Sequence, residues 1–235
     1  MTGNRVDHWS NAMGTRSRRT ARCIECRLHL DHCQCRHRPH IHLQTKLVLV
    51  MHKNEWRKPT ATGLWALGAL PHHELRLHGV AGAPLDLSDL FEEQRRVMVL
   101  FPGAGSTELP DARAQLPDGL PVTLVVPDGS WRQAQKMSTR IAGLAQATRV
   151  TLPPGPPTEW GVRRETRPGG LATFEAIARS VGCLECVDAQ RALEGYFRHM
   201  VRATFRMRGS LPPPRYPGEA TATKTQMSLQ GEGTS

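Results

Sequence analysis

No apolar run in the 235-residue chain exceeds about five residues, the longest being Leu47 to Met51, against the roughly 18 that a membrane-spanning helix requires. That shortage excludes a transmembrane protein, and no membrane partner is expected. The first fifteen residues also lack the apolar segment of a secretory signal, so the expectation is a cytoplasmic, reducing setting without disulfides. Acidic residues are fewer than basic ones, 21 against 31, which leaves a formal net charge of +10. This balance suits a polyanion such as nucleic acid. Large apolar residues are scarce at both ends. Residues 1–20 carry the basic cluster Arg16, Arg18, Arg19 and read as a flexible basic arm, and residues 209–235 run from Pro212, Pro213 and Pro214 into a Thr/Gly/Ser-rich tail expected to be disordered. No internal repeat is present, and 39% hydrophobic with 22% charged residues describes one main globular domain between those ends.

Short β-branched or apolar runs stop at turn residues: 46–51, 74–80, 95–101 before Pro102-Gly103, and 122–126 before Pro127-Asp128-Gly129. Their length and composition predict buried strands, with Arg149 to Leu152 a further candidate. Helical patterns cover 131–145, 172–181 and 187–205, the last placing Leu193, Phe197, Met200 and Val201 on one face. Strands alternating with helices imply an α/β domain with a mostly parallel sheet flanked by helices. In such sheets ligands bind at the carboxyl ends of the strands, so the loops after Met51, Phe101, Val126 and Leu152 are where chemistry is expected.

Four of the six cysteines fall in Cys23-x2-Cys26-x6-Cys33-x-Cys35. In a reducing setting this density points to soft-metal ligation, a closed structural Zn²⁺ knuckle over residues 21–40, because four thiolates from a short loop can surround the ion without a core of their own. An iron–sulfur cluster is the rival, since four-cysteine spacing does not separate the two. His29, His32 and His37 stand nearby. Cys183 and Cys186 make a second C-x2-C between two predicted helices, half of a tetrahedral site at most, and read as buried structural thiols.

The segment Leu124 to Trp131 runs from a strand through a tight turn into a helix, with Asp128 placed to cap the helix or to act as a base at the sheet edge. Trp131 is either a core residue or a planar surface beside that base. Around it stand His52-x2-Glu55-x6-Thr62 after the first strand, Phe101-Pro102-Gly103 after the third, and Arg164 followed by Gly170-Leu171-x-Thr173-x-Glu175-Ala176. The ordered series, over about residues 21 to 205, resembles the DTW-domain family, which includes the tRNA-uridine aminocarboxypropyltransferases. Asp128 and Trp131 match the family signature, Phe101 to Gly103 its strand-end loop, Leu171, Thr173 and Glu175 its Leu-x-Thr-x-Glu segment, and His52, Glu55 and Thr62 its early positions. Ser130 stands where the signature has Thr, Lys53 where Pro is usual, and Ala61 where Asn is common.

The resemblance implies a catalytic domain over residues 41–208, related to the knotted SPOUT RNA methyltransferases, which would put the cofactor in three loops near a trefoil knot. It implies an enzyme that takes S-adenosylmethionine and tRNA, moves the 3-amino-3-carboxypropyl group to N3 of a uridine, and releases methylthioadenosine. Asp128 and Trp131 would then be catalytic; Phe101, Pro102, Gly103, Pro127, Leu171, Thr173 and Glu175 would bind the cofactor; His52, Glu55, Thr62, Arg163 and Arg164 would bind substrate. Each has a plainer alternative: Glu175 as a first-turn helix acid, His52 as a polar strand end, the glycines as ordinary turns. Arg16, Arg18, Arg19, Arg22, Arg36 and Arg38 around the knuckle, with Arg163, Arg164 and Arg167, could form one basic track for the RNA backbone. The competing functions are an RNA methyltransferase, which would release S-adenosylhomocysteine, and a noncatalytic zinc-knuckle RNA-binding protein.

Overall fold

A strand with no polar alternation folds only where both of its faces are covered, and that is how the apolar runs are used here. The computed structural model describes residues 21–91, 94–162 and 169–210. The arm before residue 21, most of the tail, and Arg163, Arg164 and Arg167 therefore lie outside the described residues. The strands are β1 (Lys46–His52), β2 (His73–His78), β3 (Arg96–Leu100), β4 (Thr107–Glu108), β5 (Val122–Asp128) and β6 (Thr148–Thr151); the helices are α1 (Lys53–Trp56), α2 (Thr62–Ala69), α3 (Leu109–Ala114), α4 (Trp131–Arg140), α5 (Thr173–Leu184) and α6 (Val187–Met207). All pairings in the six-stranded sheet are parallel, in the order β2-β1-β5-β3-β6-β4. The expected parallel α/β sheet flanked by helices is thus present.

Alternate residues of the central strands divide between two cores. Leu47, Leu49 and Met51 of β1, Met98 and Leu100 of β3, and Leu124 and Val126 of β5 pack with α2, α3, α5 and α6. Their neighbours Val48, Val50, Val97, Val99 and Val125 pack with Ala134 and Met137 of α4. This two-residue alternation fixes which face each strand-end side chain serves. The four-cysteine knuckle joins the first core through the buried Cys26 and Leu28.

Several boundaries differ from the sequence expectation. The strand predicted to stop at Val126 continues through Pro127 to Asp128. β3 flanks β5 only as far as Val125, so Pro127, opposite Val50, lies beyond the doubly paired stretch, where a missing N–H is tolerated. The helix predicted to reach Ala145 ends at Arg140, and a short 3-10 turn at Leu144–Gln146 follows Gly143, whose φ of 89° breaks the helical path. α5 runs three residues further than predicted, which puts Cys183 inside it, while Cys186 caps α6 and is exposed rather than buried. Among the described residues no helix is long and apolar enough to cross a membrane.

Candidate active site

Parallel strands deliver their carboxyl ends to one edge, and the motif residues gather there. Asp128 is the last residue of β5 and shares the parity of Leu124 and Val126, so its carboxylate faces α2 and α5. It is buried, 7% exposed. The hydroxyl of Thr173, the first residue of α5, donates to Asp128 Oδ1 at 2.6 Å. Thr62, the first residue of α2, accepts at its Oγ1 from the backbone N–H of Phe174 at 3.3 Å, tying the two helix starts together. Gly63 lies directly against the carboxylate: a Cβ there would stand 2.9 Å from Asp128 Oδ2. Sequence reasoning missed Gly63, because a glycine in an apolar stretch carries no chemical signal.

The opposite parity builds a second cluster on the α4 side. His52 ends β1, and its Nδ1 accepts from the N–H of Asn54 at 3.2 Å. Gln133 of α4 accepts from the Ser130 N–H through Oε1 at 2.8 Å and presents its Nε2 to His52 Nδ1 at 3.2 Å. Burial, together with the neighbouring His78 and Lys53, holds the His52 pKa below the usual imidazole value, which keeps Nδ1 an acceptor. Ser130 also caps α4 by accepting from the Gln133 N–H, so Ser130, where the family signature has Thr, supplies the same capping hydroxyl. Trp131 packs edge-on against Phe101, ring centroids 5.8 Å apart. The two signature residues therefore serve different faces: Asp128 goes with Thr173, Trp131 with Phe101.

Pro102 and Gly103 lie in an exposed loop, which Ser106 folds by donating from its hydroxyl to the Phe101 carbonyl at 3.1 Å. Leu171 is half-buried just before α5. Glu175 accepts from the N–H of Ala172 at 2.9 Å, from the N–H of Glu159 at 2.6 Å, and from the Thr158 hydroxyl. Burial raises its pKa, and these three donors and Arg179 oppose the rise. The side chain thus closes the start of α5 and holds the 158–160 segment. Glu55 is buried and ion-paired with Lys58.

At the other end of α2, the Sγ atoms of Cys23, Cys26, Cys33 and Cys35 lie within 4.8 Å of one another, with Cys23–Cys35 at 3.7 Å and Cys26–Cys33 at 3.8 Å. Metal–thiolate bonds of about 2.3 Å in a tetrahedron set sulfur–sulfur edges of about 3.8 Å, so the cage fits one ion. A cluster of several irons needs a wider cage. Burial works to raise Cys23, but the N–H groups of Cys26 and Glu25 and the adjoining thiols bring it down to about 7. Burial and the adjoining thiols push Cys26 and Cys35 up. Thiols this close cannot all ionise unless a cation sits among them. Of the arginines around the knuckle, Arg22 and Arg36 are exposed, whereas Arg38 is 19% exposed and paired with Glu25 at 3.0 Å. Arg38 therefore belongs to the packing rather than to an open basic track.

Among solved structures, the SAM-dependent rRNA:acp-transferase Tsr3 from Vulcanisaeta distributa is similar at 17% identity and a TM-score of 0.40, covering 80% of this chain and 99% of that one. The family model for the DTW domain matches residues 20–205, a span that takes in the cysteine cage, Thr62, Asp128, Trp131 and Thr173 together. The chain belongs to the DTW-domain family.

Proposed function

We propose that the protein is an S-adenosylmethionine-dependent aminocarboxypropyltransferase that modifies N3 of a tRNA uridine. The observation that carries this reading is the buried Asp128 carboxylate at the sheet edge, oriented by the Thr173 hydroxyl at 2.6 Å and crowded on its other side by the bare backbone of Gly63. A carboxylate fixed in rotation can take the imide proton from uracil N3 without first being reorganised. Thr173 donates to one oxygen and the Gly63 backbone packs against the other, so the carboxylate is held in one orientation.

The loops beside it fit a nucleoside ligand. The open Pro102-Gly103 turn, the Phe101 and Trp131 rings, Leu171 and Thr173 combine apolar surface with accessible backbone and would hold S-adenosylmethionine. Bound there, S-adenosylmethionine supplies the electrophile, a methylene carbon that bonds to N3 as its bond to the sulfonium breaks and methylthioadenosine leaves. Pro127 shapes the strand end, and Glu175 acts as a positioning residue that keeps the α5 start and the 158–160 segment in place. His52, neutral and held by Gln133, together with Thr62 and Glu55, shapes the uridine side, with Arg163 and Arg164 as further RNA contacts. Zinc is the ion we assign to the cysteine cage, because four thiolates at tetrahedral spacing make a closed structural site.

The test is mass spectrometry of nucleosides and small products after incubating the protein with S-adenosylmethionine and unmodified tRNA. Aminocarboxypropyluridine with methylthioadenosine is expected, and Asp128→Asn should abolish it while leaving the fold and most S-adenosylmethionine binding intact. A methylated nucleoside with S-adenosylhomocysteine would replace this reading with a methyltransferase. RNA binding without any product would replace it with a binding module.

A further inference from the structure

A groove of about 300 Å³, separate from the strand-end loops, lies where the knuckle meets α1, α2 and the edge strand β2. Its walls include Ile24, Arg27, Trp56, Trp65 and His73. The Arg27 guanidinium carbon sits 4.5 Å from the centroid of the Trp56 ring, and the same guanidinium donates to the Trp56 carbonyl. Arg27 reaches this position from a left-handed backbone, φ 61°, a conformation that favours glycine. Ile24 is 85% exposed at the rim. Arg22, which donates to the Arg27 carbonyl at 2.8 Å, and Arg57 beside Trp56 are exposed cations. A planar cation layered on an indole beside an apolar rim, with the wall carboxylate Glu25 paired to Arg38 at 3.0 Å and Arg22 and Arg57 exposed next to the pair in the chain, forms a stacking platform for a nucleobase.

We infer that this groove binds an unpaired nucleotide of the RNA substrate, its base stacked on the Arg27–Trp56 pair and its phosphates facing Arg22 and Arg57. The inference rests on the RNA-modifying reading above and adds a recognition site to it. α1 is a single turn, so Trp56 stands about 6 Å along the helix axis from His52 at the strand-end edge, close enough for neighbouring nucleotides of one strand to reach both places. The knuckle supplies Arg27 and one wall of the groove, which gives the metal site a role in substrate selection as well as in folding.

The experiment measures binding of unmodified tRNA, and of an unstructured RNA of about twelve nucleotides, to the full chain and to Arg27→Ala, Trp56→Ala and Trp56→Phe, with S-adenosylmethionine affinity and melting temperature recorded alongside. Loss of one stacked base corresponds to about a five- to hundredfold drop in affinity. That drop is expected for Arg27→Ala and Trp56→Ala with S-adenosylmethionine binding unchanged, whereas Trp56→Phe should stay close to wild type. Wild-type RNA affinity in both alanine variants overturns the groove and leaves the transferase reading standing. A loss that follows melting temperature, with Trp56→Phe as weak as Trp56→Ala, also overturns it. Groove-dependent RNA binding by a wild-type protein that forms no product sustains the groove and sinks the transferase reading.

Discussion

Gly63→Ala separates a catalytic arrangement from a merely packed one. The added methyl would meet Asp128 Oδ2 at 2.9 Å and the Leu49 methyls at 3.0 and 3.2 Å, whereas ordinary contact starts at 3.4 Å. Asp128 cannot simply rotate away, because Thr173 holds its other oxygen at 2.6 Å. A carboxylate displaced by about half an ångström should slow the chemical step by about tenfold or more, given that misplacements of about 1 Å can cost about 100-fold. Stability responds to two opposing effects: alanine gains about 1 kcal/mol in helix propensity, and overpacking costs about 1–3 kcal/mol. The net loss of about 0–2 kcal/mol lowers the melting temperature by at most about 8 °C in a domain of this size. Gly195→Ala in α6 is the control, since nothing lies within 4 Å of its Cβ position; it should stabilise by about 1 kcal/mol and leave turnover alone. The assay is product formation at saturating tRNA and S-adenosylmethionine beside thermal melting. Full turnover by Gly63→Ala would refute the claim that the Asp128 carboxylate must sit where it does.

Three further outcomes are expected. Glu175→Gln should destabilise by about 1–3 kcal/mol in thermal or denaturant unfolding, even though it removes a buried charge, because one amide oxygen cannot accept from Ala172, Glu159 and Thr158 together and its NH₂ would face a donor. Greater stability in the variant would show that the carboxylate is not held as an acceptor. The folded-state pKa of His52 is depressed, so the unfolded chain binds the proton first as pH falls below about 6.5, and stability is lost through the window beneath that value. Melting between about pH 7 and about pH 5 should fall less steeply in His52→Gln than in the wild type, and parallel curves would remove His52 from the account. Cys33→Ser should release about one equivalent of zinc per chain, read by elemental analysis, and lower the melting temperature. Iron in the wild-type protein, or zinc retained by the variant, would overturn the assignment.

The strands of the sheet's centre were legible because both of their faces are buried, which leaves runs such as Leu47 to Met51 without a polar break. β4 was not, since Thr107 and Glu108 are two residues and carry no period. α2 escaped for a different reason. Its sequence, Thr62 to Ala69, sets two glycines among its leucines and alanines and is apolar on every side, so it shows no amphipathic stripe, and burial between β1 and α5 holds it in place. α3 begins Leu-Pro and is one and a half turns long, which reads as a turn. At the site, Asp128 and Thr173 stood in motifs that could be matched, whereas their hydrogen bond across 45 positions belongs to the fold alone. Arg27 and Trp56 are unspecified positions inside two different motifs, 29 positions apart, and nothing in the sequence joined them.

α2 connects the four-cysteine knuckle to the carboxylate at the sheet edge. Its first two residues, Thr62 and Gly63, stand at the Asp128 end. One turn on, Trp65 donates through Nε1 to the Cys26 carbonyl at 2.9 Å, and Gly68 leaves room for the Arg38 side chain beyond Cys35. An eight-residue helix is about 12 Å long, so the cysteine cage and the carboxylate bear on opposite ends of one short rod. That rod has no polar face by which water could support it. It is held by the sheet on one side and by Trp160 and Phe197 on the other, with ring centroids 5.5 and 6.4 Å from that of Trp65. With two glycines weakening its own helical preference, α2 depends on those external contacts for its position. A metal held by the four cysteines would fix the Cys26 carbonyl, that carbonyl holds Trp65, and the placement of Gly63 against Asp128 follows.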